Sequence, residues 1–273
     1  MSLPSIKKLS LIGMGRMGKS MLQGWLAGGL NNGSVQIIDP NISISDEFLV
    51  ENDLKLISIE EIDLTGGIII IAVKPQVMDS VLSTLGEVGT SKVTFISIVA
   101  GYSTTDIRSN IGMEPKLIRA MPNTPAAIGK GMTAIFSDDT LDQDMKLETE
   151  ALFNVIGKYC WIEEEDYMHL ITSISGSGPA YYYLLTECLV DIAISKGLDR
   201  EIAQLLVEQT FTGSAALADI FPNISPEQHR HNVTSPGGTT EAALKILMED
   251  DKLKLLLCEA INSAIERSKN LSK

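Results

Sequence analysis

Short runs rich in valine, leucine and isoleucine recur through the first part of the chain, at residues 8–12, 35–38, 68–73, 93–98 and 116–118. Between the first two, the apolar positions take a helical period: Met17, Met21, Leu22, Trp25 and Leu26 share one face, which Gly28-Gly29 ends. Strand-like runs alternating with helical segments predict βαβ units, and their low charge predicts a parallel sheet buried on both faces. Two further strand-like pieces, 132–136 and 159–162, flank an acidic amphipathic helix near 142–154. After Ile162 the strand signal stops. Helical patterns then fill 179–196, 200–218, 240–249 and 252–269, with Gly197 closing the first and Asp199 capping the second. The expected fold class is α/β, with a parallel-sheet domain over residues 1–162 and an all-helical domain over 163–273.

Several of the later helices are apolar on more than one face, as in Tyr181, Tyr182, Leu184, Leu185, Leu189, Val190 and Ile192. A helix apolar all round has to be buried, and a domain this small covers few such helices alone, so an obligate dimer is expected. The 44% apolar composition is that of an ordinary globular core, and no run of about 18 apolar residues predicts a membrane span. The N-terminal residues show no basic segment followed by a separate apolar one, so no secretory signal is read. Three widely spaced cysteines, Cys160, Cys188 and Cys258, sit among apolar neighbours and read as buried thiols in a reducing compartment, which points to the cytoplasm. No CxxC pair occurs, and His169, His229 and His231 lack the thiol or acidic partners of a ligand set, so no metal is expected. A formal charge of −13 disfavours nucleic acid and anionic membrane surfaces as partners. It leaves room for a small anionic ligand held by local backbone N–H groups.

Such a place exists near the start. Gly13-Met14-Gly15-Arg16-Met17-Gly18 is a G-x-G-x-x-G set between a strand and an amphipathic helix. In that setting the first glycine permits the tight turn, the second lets backbone approach a pyrophosphate, and the third allows helix and strand to pack closely. This context makes the first domain Rossmann-type. Asp39 ends the second strand, where an acidic residue accepts from a ribose 2′-hydroxyl and repels a 2′-phosphate; its other reading is a simple Asp-Pro turn. Ala72-Val73-Lys74-Pro75 closes the third run, with Lys74 either solvated or reaching a phosphate or carboxylate. Val99-Ala100-Gly101 closes the next, where small residues let a nicotinamide ring pack. Arg119-Ala120-Met121-Pro122-Asn123-Thr124-Pro125-Ala126 reads as a rigid cleft wall.

Two motifs lie in the helical part. Ser175-Gly176-Ser177-Gly178-Pro179-Ala180-Tyr181 opens a long helix, and its glycines serve either a site or a tight helix crossing. Thr234-Ser235-Pro236-Gly237-Gly238-Thr239-Thr240 opens another, where backbone N–H groups form either a carboxylate site or an ordinary helix start.

The glycine loop, AVKP, RAMPNTPA, SGSGPAY and VTSPGGTTEAA, in this order, resemble the pyrroline-5-carboxylate reductase family from about Leu9 to Arg267. The resemblance implies reduction of 1-pyrroline-5-carboxylate to L-proline, the last step of proline biosynthesis, by NADPH or NADH. It implies dimers, often assembled into decamers. Cofactor contacts carry over to Gly13, Met14, Gly15, Arg16, Met17, Gly18, Ala72, Val73, Lys74, Pro75, Val99, Ala100, Gly101 and Asn232. Substrate contacts carry over to Gly238, Thr239 and Thr240, with the Thr240 hydroxyl orienting the ring nitrogen. Two departures stand out: Asp39-Pro40 replaces the family's usual Ser, Asn or Thr followed by Pro or Arg, which favours NADH. The family's Asn ahead of the AVKP strand falls near Ile59, so no contact is carried there. Two other readings remain open. A reductase of the β-hydroxyacid or coenzyme F420 type would want a catalytic lysine along a helix of the second domain, whereas Lys196 lies at a helix end beside Gly197. A nucleotide sensor would have no use for the SPGGTT loop.

Overall fold

In a computed structural model, residues 6–62, 66–88, 93–111, 115–138 and 141–271 are described. One eight-stranded sheet, in the order β3-β2-β1-β4-β5-β6-β7-β8, organises the first part. Its strands are β1 (Leu9–Ile12), β2 (Val35–Ile38), β3 (Lys55–Leu56), β4 (Ile68–Ile71), β5 (Thr94–Ser97), β6 (Lys116–Met121), β7 (Gly131–Phe136) and β8 (Gly157–Trp161). The first six run parallel, β7 turns back against β6, and β8 runs parallel to β7. The expected strands are present, and β3, two residues long, adds an edge that no hydrophobic run announced.

Why these runs become central strands is clear from their burial. β1, β4 and β5 are buried at every position, so they carry apolar residues toward both faces. One face packs Leu9, Leu11, Ile37 and Ile70 against Met21, Leu22 and Trp25 of α1 (Arg16–Ala27) and against Leu152 and Phe153 of α5 (Gln143–Val155). The Trp25 indole donates to the Leu152 carbonyl at 2.9 Å, which satisfies the one polar atom of a fully buried ring. The other face packs Ile69, Ile71 and Phe95 against Met78, Leu82 and Leu85 of α3 (Met78–Val88) and Ile107 and Ile111 of α4 (Thr104–Ile111). α2 (Glu47–Glu51) is a short capped helix after β2.

Beyond β8 every described element is helical: α6 (Tyr167–Ile171), a π-turn (Thr172–Gly176), α7 (Gly178–Ser195), α8 (Arg200–Ile220), α9 (Pro226–Asn232), α10 (Thr239–Met248) and α11 (Lys252–Leu271). The change of secondary structure thus falls where expected, near residue 163. The chain's compact units divide later. One comprises Met1–Pro179 with Ala264–Lys273, and the other Ala180–Ser263. Within the first, buried Arg119 of β6 pairs with Glu165 at 2.7 Å, and Glu165 also accepts from the Thr104 N–H and hydroxyl at 2.8 and 2.9 Å. A buried guanidinium needs such a partner, and this one ties the strand edge to the segment that starts α6.

The second unit has a different character. Only Val190 and Ala203 are buried among its described residues, while Leu205, Ile246 and Leu256 are 63–69% exposed. Apolar side chains on several faces of α7, α8 and α10 lack cover within the chain, far more than a monomer usually shows to water. The expectation that the cysteines are buried is corrected here: Cys160, Cys188 and Cys258 are all free and exposed in the single chain. The apolar neighbours of Cys188 and Cys258 belong to uncovered surfaces, whereas Tyr159 and Trp161 beside Cys160 pack on the core and leave the thiol on the other face of β8. No helix among the described residues is long and apolar enough to cross a membrane.

Candidate functional site

The parallel strands put their carboxyl ends on one edge of the sheet, where Gly13, Asp39, Ala72 and Val99 follow β1, β2, β4 and β5. The ladder continues past the strands: Gly13 N–H donates to the Ile38 carbonyl and Ala72 N–H to the Ile12 carbonyl, each at 2.8 Å. The edge between β1 and β4, where strand order reverses, opens into a cleft of about 900 Å³. Gly13, Gly15, Asp39, Ala72, Val73 and Lys74 line it. Of the opposite wall, Ser58 to Glu61 with Val77, Ser80, Val81 and Thr84, the sequence reading touched only Ile59, where it carried no contact. The signals for it were the family's Asn position near Ile59 and the helical face after AVKP.

The three glycines differ in what demands them. Gly13 has φ +95°, and a Cβ there would lie 2.7 Å from the Ala72 carbonyl oxygen. A Cβ on Gly18 would lie 2.2 Å from the Gly13 carbonyl oxygen. These two are required by the fold, because α1 approaches the sheet too closely for any side chain. Gly15 has an ordinary φ of −68°, and an added Cβ would meet nothing within 4 Å. Nothing described in the chain requires glycine there, so the requirement points outside the chain. Gly15 is also the N-cap of α1, with no side-chain cap and no acidic residue in the first turn. The first N–H groups of that helix are therefore uncapped by any side chain, the arrangement that suits an anion.

Asp39 is tied into this loop. Its Oδ2 accepts from the Met14 N–H at 2.9 Å, and its Oδ1 accepts from the Asn41 N–H at 2.9 Å. Each carboxylate oxygen retains acceptor capacity. Asp39, Glu60 and Glu61 line the cleft with Lys74 as the one cation among the described lining residues. Glu61 lies below the ordinary carboxyl range because it accepts from the Ser58 backbone and side chain, so it is an anion at neutral pH.

The remaining predicted residues are placed as follows. Met14 buries its side chain in the core of the α1 face. Arg16 is exposed at the start of α1, and Met17 is half-buried against the same core. Lys74 is exposed, and Pro75 begins a 3₁₀ turn. Val99 and Gly101 are buried, and a Cβ on Gly101 would lie 2.6 Å from the Leu271 carbonyl oxygen at the end of α11. Asn232, Gly238, Thr239 and Thr240 belong to the second compact unit. There Asn232 ends α9 and accepts from Gln228 at 2.8 Å. Gly238 is the N-cap of α10 with no side-chain cap; its N–H donates to the Ser235 carbonyl at 3.0 Å. Glu241 reaches back to the Gly237 N–H at 2.7 Å. Thr239 and Thr240 thus lead a helix whose first donors no side chain caps.

Sheet order, glycine loop and carboxyl-edge cleft define a Rossmann-type dinucleotide-binding protein. Comparison with known proteins sharpens this. The family described as "Pyrroline-5-carboxylate reductase dimerisation" matches residues 165–271, and "NADP oxidoreductase coenzyme F420-dependent" matches residues 8–101. The pyrroline-5-carboxylate reductase of Pasteurella multocida is 34% identical over 98% of both chains. A solved pyrroline-5-carboxylate reductase from Coxiella burnetii superposes with a TM-score of 0.89 at 34% identity, covering 98% of this chain and 99% of that one. The Plasmodium falciparum pyrroline carboxylate reductase, solved with NADP bound, gives 0.84 at 31% identity with the same coverage. The chain belongs to the pyrroline-5-carboxylate reductase family. It is an NAD(P)H-using oxidoreductase and a homo-oligomer.

Two glycine substitutions separate the demand of the fold from that of a ligand. Gly15→Ala should keep its stability within about 0.5 kcal/mol, as at an open surface position, and weaken cofactor binding tenfold or more by calorimetry. Gly18→Ala should lose about 1–3 kcal/mol in denaturant melts, as over-packed sites do. Undiminished cofactor binding by Gly15→Ala would remove the case for a ligand at that backbone.

Proposed function

We propose that this chain reduces 1-pyrroline-5-carboxylate to L-proline, the last step of proline biosynthesis. The observation that carries the reading is the glycine loop, where Gly15 is open while Gly13 and Gly18 are tightly packed, in a chain with this family membership. The nicotinamide cofactor, when bound, supplies the hydride for the imine carbon. The chain's part is to bind and orient. Residues 1–162 bind the cofactor, through Gly13 to Gly18, Asp39, Ala72 to Pro75 and Val99 to Gly101, with Asn232 a further contact from the helical part. Residues 163–273 provide oligomer contacts and substrate binding. The uncapped start of α10 suits the substrate carboxylate, where Thr239 and Thr240 offer N–H groups that no side chain takes. The Thr240 hydroxyl orients the ring nitrogen. A threonine hydroxyl is a poor acid, so most of the acceleration comes from positioning. A mutation tests this: Thr240→Val should lower kcat/KM for the imine about tenfold, the loss of one hydrogen bond, with cofactor affinity unchanged. Retention within twofold rules the role out.

NADH is the preferred cofactor in this reading. The Asp39 carboxylate keeps lone pairs for a ribose hydroxyl, and a 2′-phosphate would approach Asp39, Glu60 and Glu61, with Lys74 the one cation among the described lining residues and Lys55 acting on Glu61. Like charges at such range repel by about 1–4 kcal/mol per pair. Initial rates should therefore favour NADH, and Asp39→Ser should move the NADH/NADPH ratio of kcat/KM toward NADPH by about tenfold. A parent preferring NADPH would reduce Asp39 to a loop-bracing role.

The assembly is a dimer or a decamer built from dimers, supported by the uncovered faces of α7, α8 and α10. Light scattering should give at least twice the 29.6 kDa chain mass; a single-chain mass at micromolar concentration contradicts it. A reducing cytoplasm suits three exposed free thiols, and cell fractionation that places the protein elsewhere would refute that location.

A further inference from the structure

The Ser175-Gly176-Ser177-Gly178 motif has no part in the reading above, and packing within the chain does not demand it. A Cβ on Gly176 would make ordinary contacts, 3.7 Å from Thr172 Cγ2 and 3.9 Å from Met121 Sδ, and one on Gly178 would meet nothing within 4 Å. A tight helix crossing within the chain is therefore not what these glycines serve. The backbone here leaves α geometry: Thr172–Gly176 forms a π-turn, with the Ser177 N–H donating to the Thr172 carbonyl at 2.8 Å. Turns of this kind are rare and concentrate at functional sites.

Asn123 holds the turn from outside. Its Nδ2 donates to the Ser175 carbonyl at 3.1 Å, and its Oδ1 accepts from the Met132 N–H at 2.8 Å. Both ends of the carboxamide are thus engaged, and the π-turn is pinned to the loop that leaves β6. On this pinned turn the Ser175 Oγ is buried without a hydrogen-bond partner among the described residues. An unpartnered buried hydroxyl loses its bonds to water without replacement, so its persistence calls for a use.

Its place along the sheet edge indicates one. Asp39 follows β2 and the glycine loop follows β1, so a dinucleotide with its adenosine ribose at Asp39 and its pyrophosphate at α1 extends toward β4, β5 and β6. Met121 and Asn123, with the π-turn against them, lie at the carboxyl end of β6, three strand spacings or roughly 14 Å from β1.

We propose that Ser175 is a cofactor-contact residue, its hydroxyl hydrogen-bonding the carboxamide of the nicotinamide ring, with Asn123 as the positioning residue that holds it. The proposal rests on the reading of the chain as an NAD(P)H-dependent reductase. Calorimetry on the full chain tests it with two ligands: the preferred cofactor, and the matching fragment that lacks nicotinamide (ADP-ribose for NADH, its 2′-phosphate for NADPH). Ser175→Ala should raise the cofactor Kd about tenfold, the worth of one hydrogen bond, and leave the fragment Kd within twofold. Asn123→Asp keeps the acceptor for Met132 and loses the donor to Ser175, and should show the same selective loss. An unchanged cofactor Kd in Ser175→Ala overturns the proposal, as does equal weakening of both ligands, the signature of a merely structural serine. A parent chain that binds neither cofactor is a separate result, which refutes the reductase reading itself.

Discussion

The close approach of α1 to the carboxyl edge of the sheet governs the first compact unit. Gly13 lies against the Ala72 carbonyl and Gly18 against the Gly13 carbonyl, at separations that admit no Cβ. This contact brings the free N–H groups of a helix start to the switch point between β1 and β4, where the cleft opens. It depends on the buried strands behind it. β1 and β4 hold the edge rigid because they are apolar toward both faces, and Trp25 anchors α1 through its bond to Leu152. Asp39 then joins the loop after β2 to the loop after β1 through the Met14 N–H. One carboxylate therefore braces the cleft and, with Glu60 and Glu61, adds to its negative charge.

The second compact unit follows the opposite logic. Its helices are well formed, with Asp199 capping α8 and Ser225 capping α9, yet two buried apolar residues cannot pay the entropy of ordering it. Its stability has to come from surface covered in the homo-oligomer. That dependence explains why α7 is apolar on several faces and why Cys188 and Cys258, with apolar neighbours, are exposed in the single chain.

Much of this was legible from residue order. Central strands of a parallel sheet are continuous apolar runs, so β1, β2, β4 and β5 announce themselves, and G-x-G-x-x-G between strand and helix locates the cleft. What was not legible has physical reasons. β3, Lys55–Leu56, is too short to have a period. α9 is a polar seven-residue helix, although Ser225 followed by Pro226 was a start signal. The π-turn has no sequence signature, because it arises from the clamp between Asn123 and Ser175, partners 52 residues apart. Cysteine burial was misjudged because apolar neighbours do not distinguish a core from a face awaiting another subunit at Cys188 and Cys258, nor the inner from the outer face of a strand at Cys160.

Hydride transfer to a cyclic imine leaves an isotopic record in its product. The chain would be incubated with 1-pyrroline-5-carboxylate and NADH or NADPH deuterated at the transferable C4 position, and the product analysed by mass spectrometry. The account predicts L-proline one mass unit heavier, with deuterium on the ring carbon that was double-bonded to nitrogen. Oxidised cofactor without labelled proline, or no cofactor oxidation by folded oligomer, would contradict it.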